Sequence, residues 1–185
     1  MRGKLTGIIG PMFAGKTTKL IEIYDNKEES KVIIKPSIDT RYSNDSIVNH
    51  DGIGRSSLVC LDSYDLWDKL QDDLPQNIFI DEVHFFDSNI IDLIDNILDL
   101  GKNIYFSGIN LDIKGNPMIF KGDNQPEFNM GDLLIKCDKI YLLTSLCEVC
   151  GKTATRTIRI DKGDSNDFVG GKEKYQPRCR EHLDI

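Results

Sequence analysis

The sequence predicts an α/β fold, a mostly parallel sheet flanked by helices, with a small C-terminal ribbon. Three observations predict it. Short apolar runs of strand length alternate with amphipathic runs of helix length through residues 1–143. A glycine-bearing run, Gly10-Pro11-Met12-Phe13-Ala14-Gly15-Lys16-Thr17, lies between the first strand-like and the first helix-like run. Cys147, Cys150, Cys179 and His182 pair at metal-ligand spacing in residues 144–185. A chain of 185 residues suits one main domain, here 1–143, plus a small appendage, here 144–185.

The elements follow in order. Leu5–Ile9 reads as a buried strand, and Thr17 to about Glu29 as a helix with Leu20, Ile21 and Tyr24 at helical spacing. Lys31–Lys35 is a second strand, stopped by Pro36. Ser37–Ser57 is polar, carries Gly52 and Gly54, and reads as a loop. Leu58–Cys60 is strand-like, and Ser63–Gln71 a short helix with Leu66, Trp67 and Leu70 inward. Asn77–Ile80 is a buried strand that ends in Asp81-Glu82. Ser88–Leu100 is an amphipathic helix ended by Gly101, and Asn103–Ser107 another buried strand. Gly108–Gln125 is turn-rich, Pro126–Lys136 reads as a helix, and Lys139–Leu143 as a last strand. In such sheets ligands bind beyond the carboxyl ends of the strands, where the glycine loop and Asp81-Glu82 both fall.

The glycine loop fits G-x-x-x-x-G-K-[ST]. Its N–H groups can converge on phosphate oxygens, Lys16 can reach the β- and γ-phosphates, and the Thr17 hydroxyl can hold Mg²⁺. Strand, loop and helix in that order set the positive end of a helix dipole against the phosphates. Such a loop leaves the metal half-coordinated. Asp81 is the candidate to complete its shell, and Glu82 the candidate to take a proton from the attacking group. Cys147-x-x-Cys150 and Cys179-x-x-His182 would close a tetrahedral Zn²⁺ site with no open position, so its role is structural. Between the two pairs, Gly170-Gly171 permits close backbone approach to a ligand, and Tyr175 could close over a flat base. Arg41, in Asp39-Thr40-Arg41-Tyr42, could neutralise phosphoryl charge.

Composition narrows the classes. The formal net charge of −7 argues against a non-specific nucleic-acid binder, which needs clustered Lys and Arg. No run approaches the roughly 18 apolar residues of a membrane span, and the short segment before Leu5 leaves no room for a signal peptide, so the expected location is the cytoplasm. Five cysteines, an odd count, argue against a disulfide framework.

Taken together in chain order, these motifs resemble the type II, zinc-containing thymidine kinases of cellular, bacterial and poxvirus origin. The matching pieces are Gly10 to Thr17, Asp39 to Tyr42, His50, Asp81-Glu82-Val83-His84-Phe85-Phe86, Leu111-Asp112-Ile113-Lys114-Gly115, Cys147 to Cys150, Val169-Gly170-Gly171 with Tyr175, and Cys179 to His182. The resemblance implies a RecA-like P-loop NTPase sheet with a zinc ribbon, and transfer of the ATP γ-phosphate to the 5′-hydroxyl of thymidine. It implies Glu82 as general base, Mg²⁺ supported by Asp81, and ATP held by Gly10, Pro11, Met12, Phe13, Ala14, Gly15, Lys16 and Thr17, with Asp39, Arg41 and His84 nearby. It implies that a lasso-like loop, roughly Asp161–Arg178, grips the nucleoside through Phe168, Val169, Gly170 and Gly171, with Phe85, Ile113 and Tyr175 beside it. It also implies a homotetramer, with no nucleic-acid or membrane partner. His84 stands where the family usually has Gln and Ile113 where it commonly has Phe, and the chain is longer than usual around Ile119–Asn129. The competing readings are a P-loop ATPase whose zinc ribbon binds nucleic acid, and a nucleotide-binding scaffold without turnover. A ribbon loop lacking a basic cluster or interleaved aromatics disfavours the first.

Overall fold

The computed structural model describes residues 1–38, 46–48, 54–121, 128–161 and 170–183. The first half alternates strand and helix as the apolar periodicity dictates: β1 (Leu5–Ile9), α1 (Lys16–Asp25), β2 (Lys31–Pro36), β3 (Ser46–Val48), β4 (Gly54–Ser56), β5 (Leu58–Cys60), α2 (Ser63–Leu70) and β6 (Asn77–Ile80). A 3₁₀ turn, Val83–Phe85, leads into α3 (Ile90–Asp99), β7 (Asn103–Gly108), α4 (Met130–Leu134) and β8 (Lys139–Leu142). The last part holds β9 (Ser145–Leu146), β10 (Thr153–Ala154), β11 (Arg156–Arg159), β12 (Tyr175–Arg178) and a second 3₁₀ turn, Arg180–His182.

Six strands make one sheet in the order β5-β2-β6-β7-β1-β8, and every pairing in it is parallel. Parallel strands need crossovers that cover the sheet faces, so the strands read as continuous apolar runs. Leu5, Ile8, Ile78, Phe79, Ile104 and Phe106 are all fully buried. The larger apolar cluster takes the buried face of α3, with Ile90, Ile91, Ile94, Ile97 and Leu98. The smaller one joins Leu20 and Ile21 of α1 to Ile8, Ile33 and Phe79. Each of these large side chains, fully buried, contributes about 1.5–3 kcal/mol. Phe79 also stacks on Tyr105 at 4.5 Å.

Four expectations need correction. Helix α1 ends at Asp25 rather than near Glu29, because the Lys31 ammonium takes the Tyr24 and Lys27 carbonyls at 2.8 and 2.6 Å and the Asn26 side-chain amide takes that of Glu22. Strand β2 runs through Pro36, which pairs with Cys60 without needing an N–H of its own. Ser37–Ser57 is not all loop: β3 and β4 form an antiparallel pair that buries Ile47 in the smaller cluster. Among the described residues of the expected Pro126–Lys136, helix α4 covers Met130–Leu134. Asn129 caps it there in a reciprocal capping box with Asp132, fixing its start.

Candidate active site

The site is assembled at the carboxyl end of the sheet. Strand β1 ends in the phosphate loop, whose shape two glycines fix. A Cβ at Gly10 would lie 2.5 Å from the Leu143 carbonyl oxygen, just past β8, so only glycine lets loop and strand end approach this closely. Gly15, at φ 78°, is the left-handed residue from which α1 starts. Phe13 also holds a left-handed conformation, φ 63°, unusual for a bulky side chain. The buried Lys16 ammonium donates to the Pro11 carbonyl at 2.9 Å, which keeps it inside the loop it serves.

Strand β6 delivers Asp81 and Glu82, both buried. β6 is not the neighbour of β1; β7 lies between them. A residue of β7 bridges the gap. The Ser107 hydroxyl donates to Asp81 Oδ1 in a very short hydrogen bond and accepts from the Glu82 N–H at 3.1 Å. The Thr17 hydroxyl lies 3.3 and 3.2 Å from the two Asp81 carboxylate oxygens. The strand ends therefore bring Thr17, Asp81, Ser107 and Glu82 into one cluster. Glu82 sits at φ 47°, a left-handed backbone that turns the chain sharply after β6 and separates the directions of two consecutive carboxylates. Fully buried His84 follows, its Nδ1 3.5 Å from Glu82 Oε2 and 3.4 Å from the Ile109 nitrogen.

Met12, Phe85 and Tyr175 are buried in the main apolar cluster with Met118 and Phe120, and Ile113 packs against it. The Arg159 guanidinium lies 5.6 Å from the centre of the fully buried Tyr175 ring. Ile113 belongs to a turn in which Asp112 accepts from the Lys114 and Asn116 amides at 2.9 and 2.8 Å. Gly170 lies in a tight approach to the Lys174 side chain, and the Gly171 carbonyl accepts from the Lys174 and Tyr175 amides at 3.1 Å. Asp39, Arg41, His50, Phe168 and Val169 lie outside the described residues.

In the ribbon, one donor atom from each of Cys147, Cys150, Cys179 and His182 lies within 4.8 Å of the others. Cys150 and Cys179 sulfurs are 3.7 Å apart, and His182 Nδ1 lies 3.8 Å from Cys147 and 3.2 Å from Cys179. Three thiols and one imidazole at these separations suit the edges of a tetrahedral zinc site. Desolvation acts to raise the Cys147 thiol, but backbone N–H groups of Cys179, Val149 and Cys150 outweigh it and draw it down to about 6, toward the thiolate a metal needs. Cys60 and Cys137 behave oppositely: burial pushes each up to about 12, the behaviour of inert core thiols.

Sequence reasoning missed Ser107, Thr157 and Ser145. A polar residue near the end of an apolar strand was the available signal for Ser107. Thr157 and Ser145 gave none, since their partners, the Met12 N–H at 2.9 Å and the Phe13 carbonyl at 3.2 Å, are over 130 residues away in the chain.

A parallel sheet ending in a phosphate loop and an acid pair defines a P-loop α/β protein, here with a Cys₃His cluster that could hold a metal ion. The family model described as thymidine kinase matches residues 3–183. The thymidine kinase of Thermococcus kodakarensis is 36% identical, over 97% of this chain and 93% of that protein. That of Pseudothermotoga lettingae is 33% identical, over 98% and 95%, and that of Mycoplasmoides gallisepticum 31%, over 97% and 80%. The chain belongs to the thymidine kinase family.

Proposed function

We propose that the chain transfers the γ-phosphate of ATP to the 5′-hydroxyl of thymidine, giving thymidine monophosphate, and tolerates deoxyuridine. The observation that carries this reading is the cluster of Thr17, Asp81 and Glu82 at one end of the sheet, in a chain matched by the thymidine kinase family along its length. Loop amides and Lys16 hold the phosphates of ATP. Thr17 and Asp81 would hold Mg²⁺, which when bound supplies neutralising charge to the phosphates. Glu82 accepts the proton of the 5′-hydroxyl as its oxygen attacks the γ-phosphorus; the bond to the bridging oxygen breaks, and ADP leaves. His84 positions the Glu82 carboxylate from within the core. Asp39 and Arg41 are assigned to neutralising and orienting the transferring group. Phe168, Val169, Gly170 and Gly171 grip the nucleoside, against a wall of Phe85, Ile113 and Tyr175.

Residues 144–185 act as a zinc-binding subdomain: Cys147, Cys150, Cys179 and His182 would hold Zn²⁺, anchoring both ends of the nucleoside loop. The expected assembly is a homotetramer. In support, the outer edge strand β8 leaves Ile140 and Leu142 exposed, with Ile135 close before them in the chain. No described helix is long and apolar enough to cross a membrane. We place the enzyme in the cytoplasm with no nucleic-acid or membrane partner.

The test is phosphate transfer from ATP/Mg²⁺ to thymidine, deoxyuridine, deoxycytidine, deoxyadenosine and deoxyguanosine. Thymidine monophosphate should dominate. Transfer mainly to another nucleoside would overturn the substrate assignment and point to Ile113 and His84. No transfer to any nucleoside would overturn the reaction.

A further inference from the structure

The apex of the phosphate loop is held by the ribbon. The Met12 N–H donates to the Thr157 hydroxyl of β11 at 2.9 Å, in a buried contact. One residue on, the Phe13 carbonyl accepts from the Ser145 hydroxyl of β9 at 3.2 Å. The Lys172 ammonium lies 5.7 Å from the centre of the Phe13 ring. Phe13 holds φ 63°, so this stretch of loop sits in a conformation that its surroundings must maintain.

Both holders are tied to the metal cluster at short range. Ser145 lies two residues before Cys147. Thr157 lies opposite Pro177 in the β11–β12 ladder, and Pro177 is two residues before Cys179. The knuckle and the ladder are themselves joined, since the Glu148 N–H donates to the Pro177 carbonyl at 3.2 Å. One metal site thus pins two strands, and each strand holds one side of the same short stretch of loop. A buried amide that donates to Thr157 is also directed to a protein acceptor, leaving the other loop amides to face the phosphates.

We propose that Thr157 and Ser145 are positioning residues for the ATP site, and that through them the zinc ribbon sets the affinity for ATP as well as anchoring the nucleoside loop. This rests on the reading that Gly10–Thr17 binds ATP. In Thr157→Val, which keeps the shape and removes the acceptor, ATP binding measured by calorimetry should weaken roughly 5- to 10-fold, the effect of one hydrogen bond. KM for ATP should rise in parallel, while KM for thymidine and zinc content hold. Thr157→Ser should restore ATP affinity. Ser145→Ala should weaken ATP binding in the same sense. Removing zinc from the wild-type chain should weaken ATP binding as well, and by a smaller factor in Thr157→Val, where the link is already cut. Unchanged ATP affinity in Thr157→Val, an equal rise in thymidine KM, or zinc removal that leaves ATP affinity intact would each overturn the proposal while the kinase reading stands. Failure of the zinc-loaded wild-type chain to bind ATP would remove both.

Discussion

The sheet and the ribbon are stabilised by different physics. The sheet carries a continuous apolar cluster running from Leu5 and Ile9 through Ile78, Ile94 and Phe106, to which the ribbon adds Tyr175 of β12. Among the described residues the ribbon's own buried cluster is Cys147, Ala154 and Cys179, and two of those three are candidate metal ligands. Its strands are two to four residues long, and Leu146 and Val149 beside the cluster are exposed. Hydrophobic burial accounts for the sheet, whereas the ribbon's described residues, Tyr175 apart, bury little apolar surface, and on the proposed reading zinc bonds to the Cys₃His cluster supply the rest of its order. On the proposed function, the catalytic residues belong to the first kind of scaffold and the nucleoside loop to the second. Substitutions in the two regions should fail in different ways.

The largest effect is expected in the ribbon. In Cys150→Ser one thiolate is lost from a closed four-ligand set, and structural zinc binding is worth about 10–16 kcal/mol in small domains. Zinc content should fall toward zero and nucleoside KM should rise steeply. The sheet should remain folded, with far-ultraviolet dichroism close to that of the wild type. Loss of the whole cooperative unfolding transition would erase the distinction between the two scaffolds, and normal zinc content would remove the four-ligand assignment.

The next effect is confined to chemistry. Glu82→Gln keeps the size and the backbone turn of Glu82 but removes its basicity. Turnover should drop by about 10²–10⁴-fold, the usual contribution of a general base. ATP affinity, zinc content and thermal stability should hold. Turnover near that of the wild type would end the assignment of Glu82 as base.

The same contrast explains what could be read from the chain. The sheet was legible because its signals are local: apolar runs at Asn77–Ile80 and Asn103–Gly108, a helical stripe over Ile91, Ile94 and Ile97, and a phosphate loop with fixed spacing. The Cys₃His cluster was legible because Cys and His at knuckle spacing are rare otherwise. The β3–β4 pair was not, because Ile47-Val48 is only a two-residue apolar run in a polar stretch and the burial of Ile47 is decided by the sheet beneath it. The short span of α4 depends on the Asn129–Asp132 capping box, which overrides a longer helical reading from Pro126. The contacts that shape the site, Ser107 to Asp81 and Thr157 to Met12, join residues far apart in sequence. Their chemistry is visible only once β7 is placed between β1 and β6 and once β11 is folded against the loop.

The smallest of these effects sharpens the comparison within the sheet itself. Ser107 is fully buried and holds both acids at once, donating to Asp81 and accepting from the Glu82 amide. In Ser107→Ala the Asp81 carboxylate loses a donor and the Glu82 N–H loses its hydroxyl acceptor, a disturbance of about 1–3 kcal/mol for a buried hydrogen-bonding group. The left-handed turn at Glu82 makes that amide's direction difficult to change, so the disturbance should appear in the acids rather than dissipate along the backbone. Turnover should fall about tenfold, within the range that such an energy spans. The Mg²⁺ concentration for half-maximal rate should rise, because Asp81 is then less firmly set against Thr17. Zinc content should not move, since none of the four candidate ligands comes from β6 or β7. A fall in zinc content would show that the two scaffolds are not separable at this point. Unchanged turnover together with unchanged Mg²⁺ dependence would show that the two acids are positioned without the bridge.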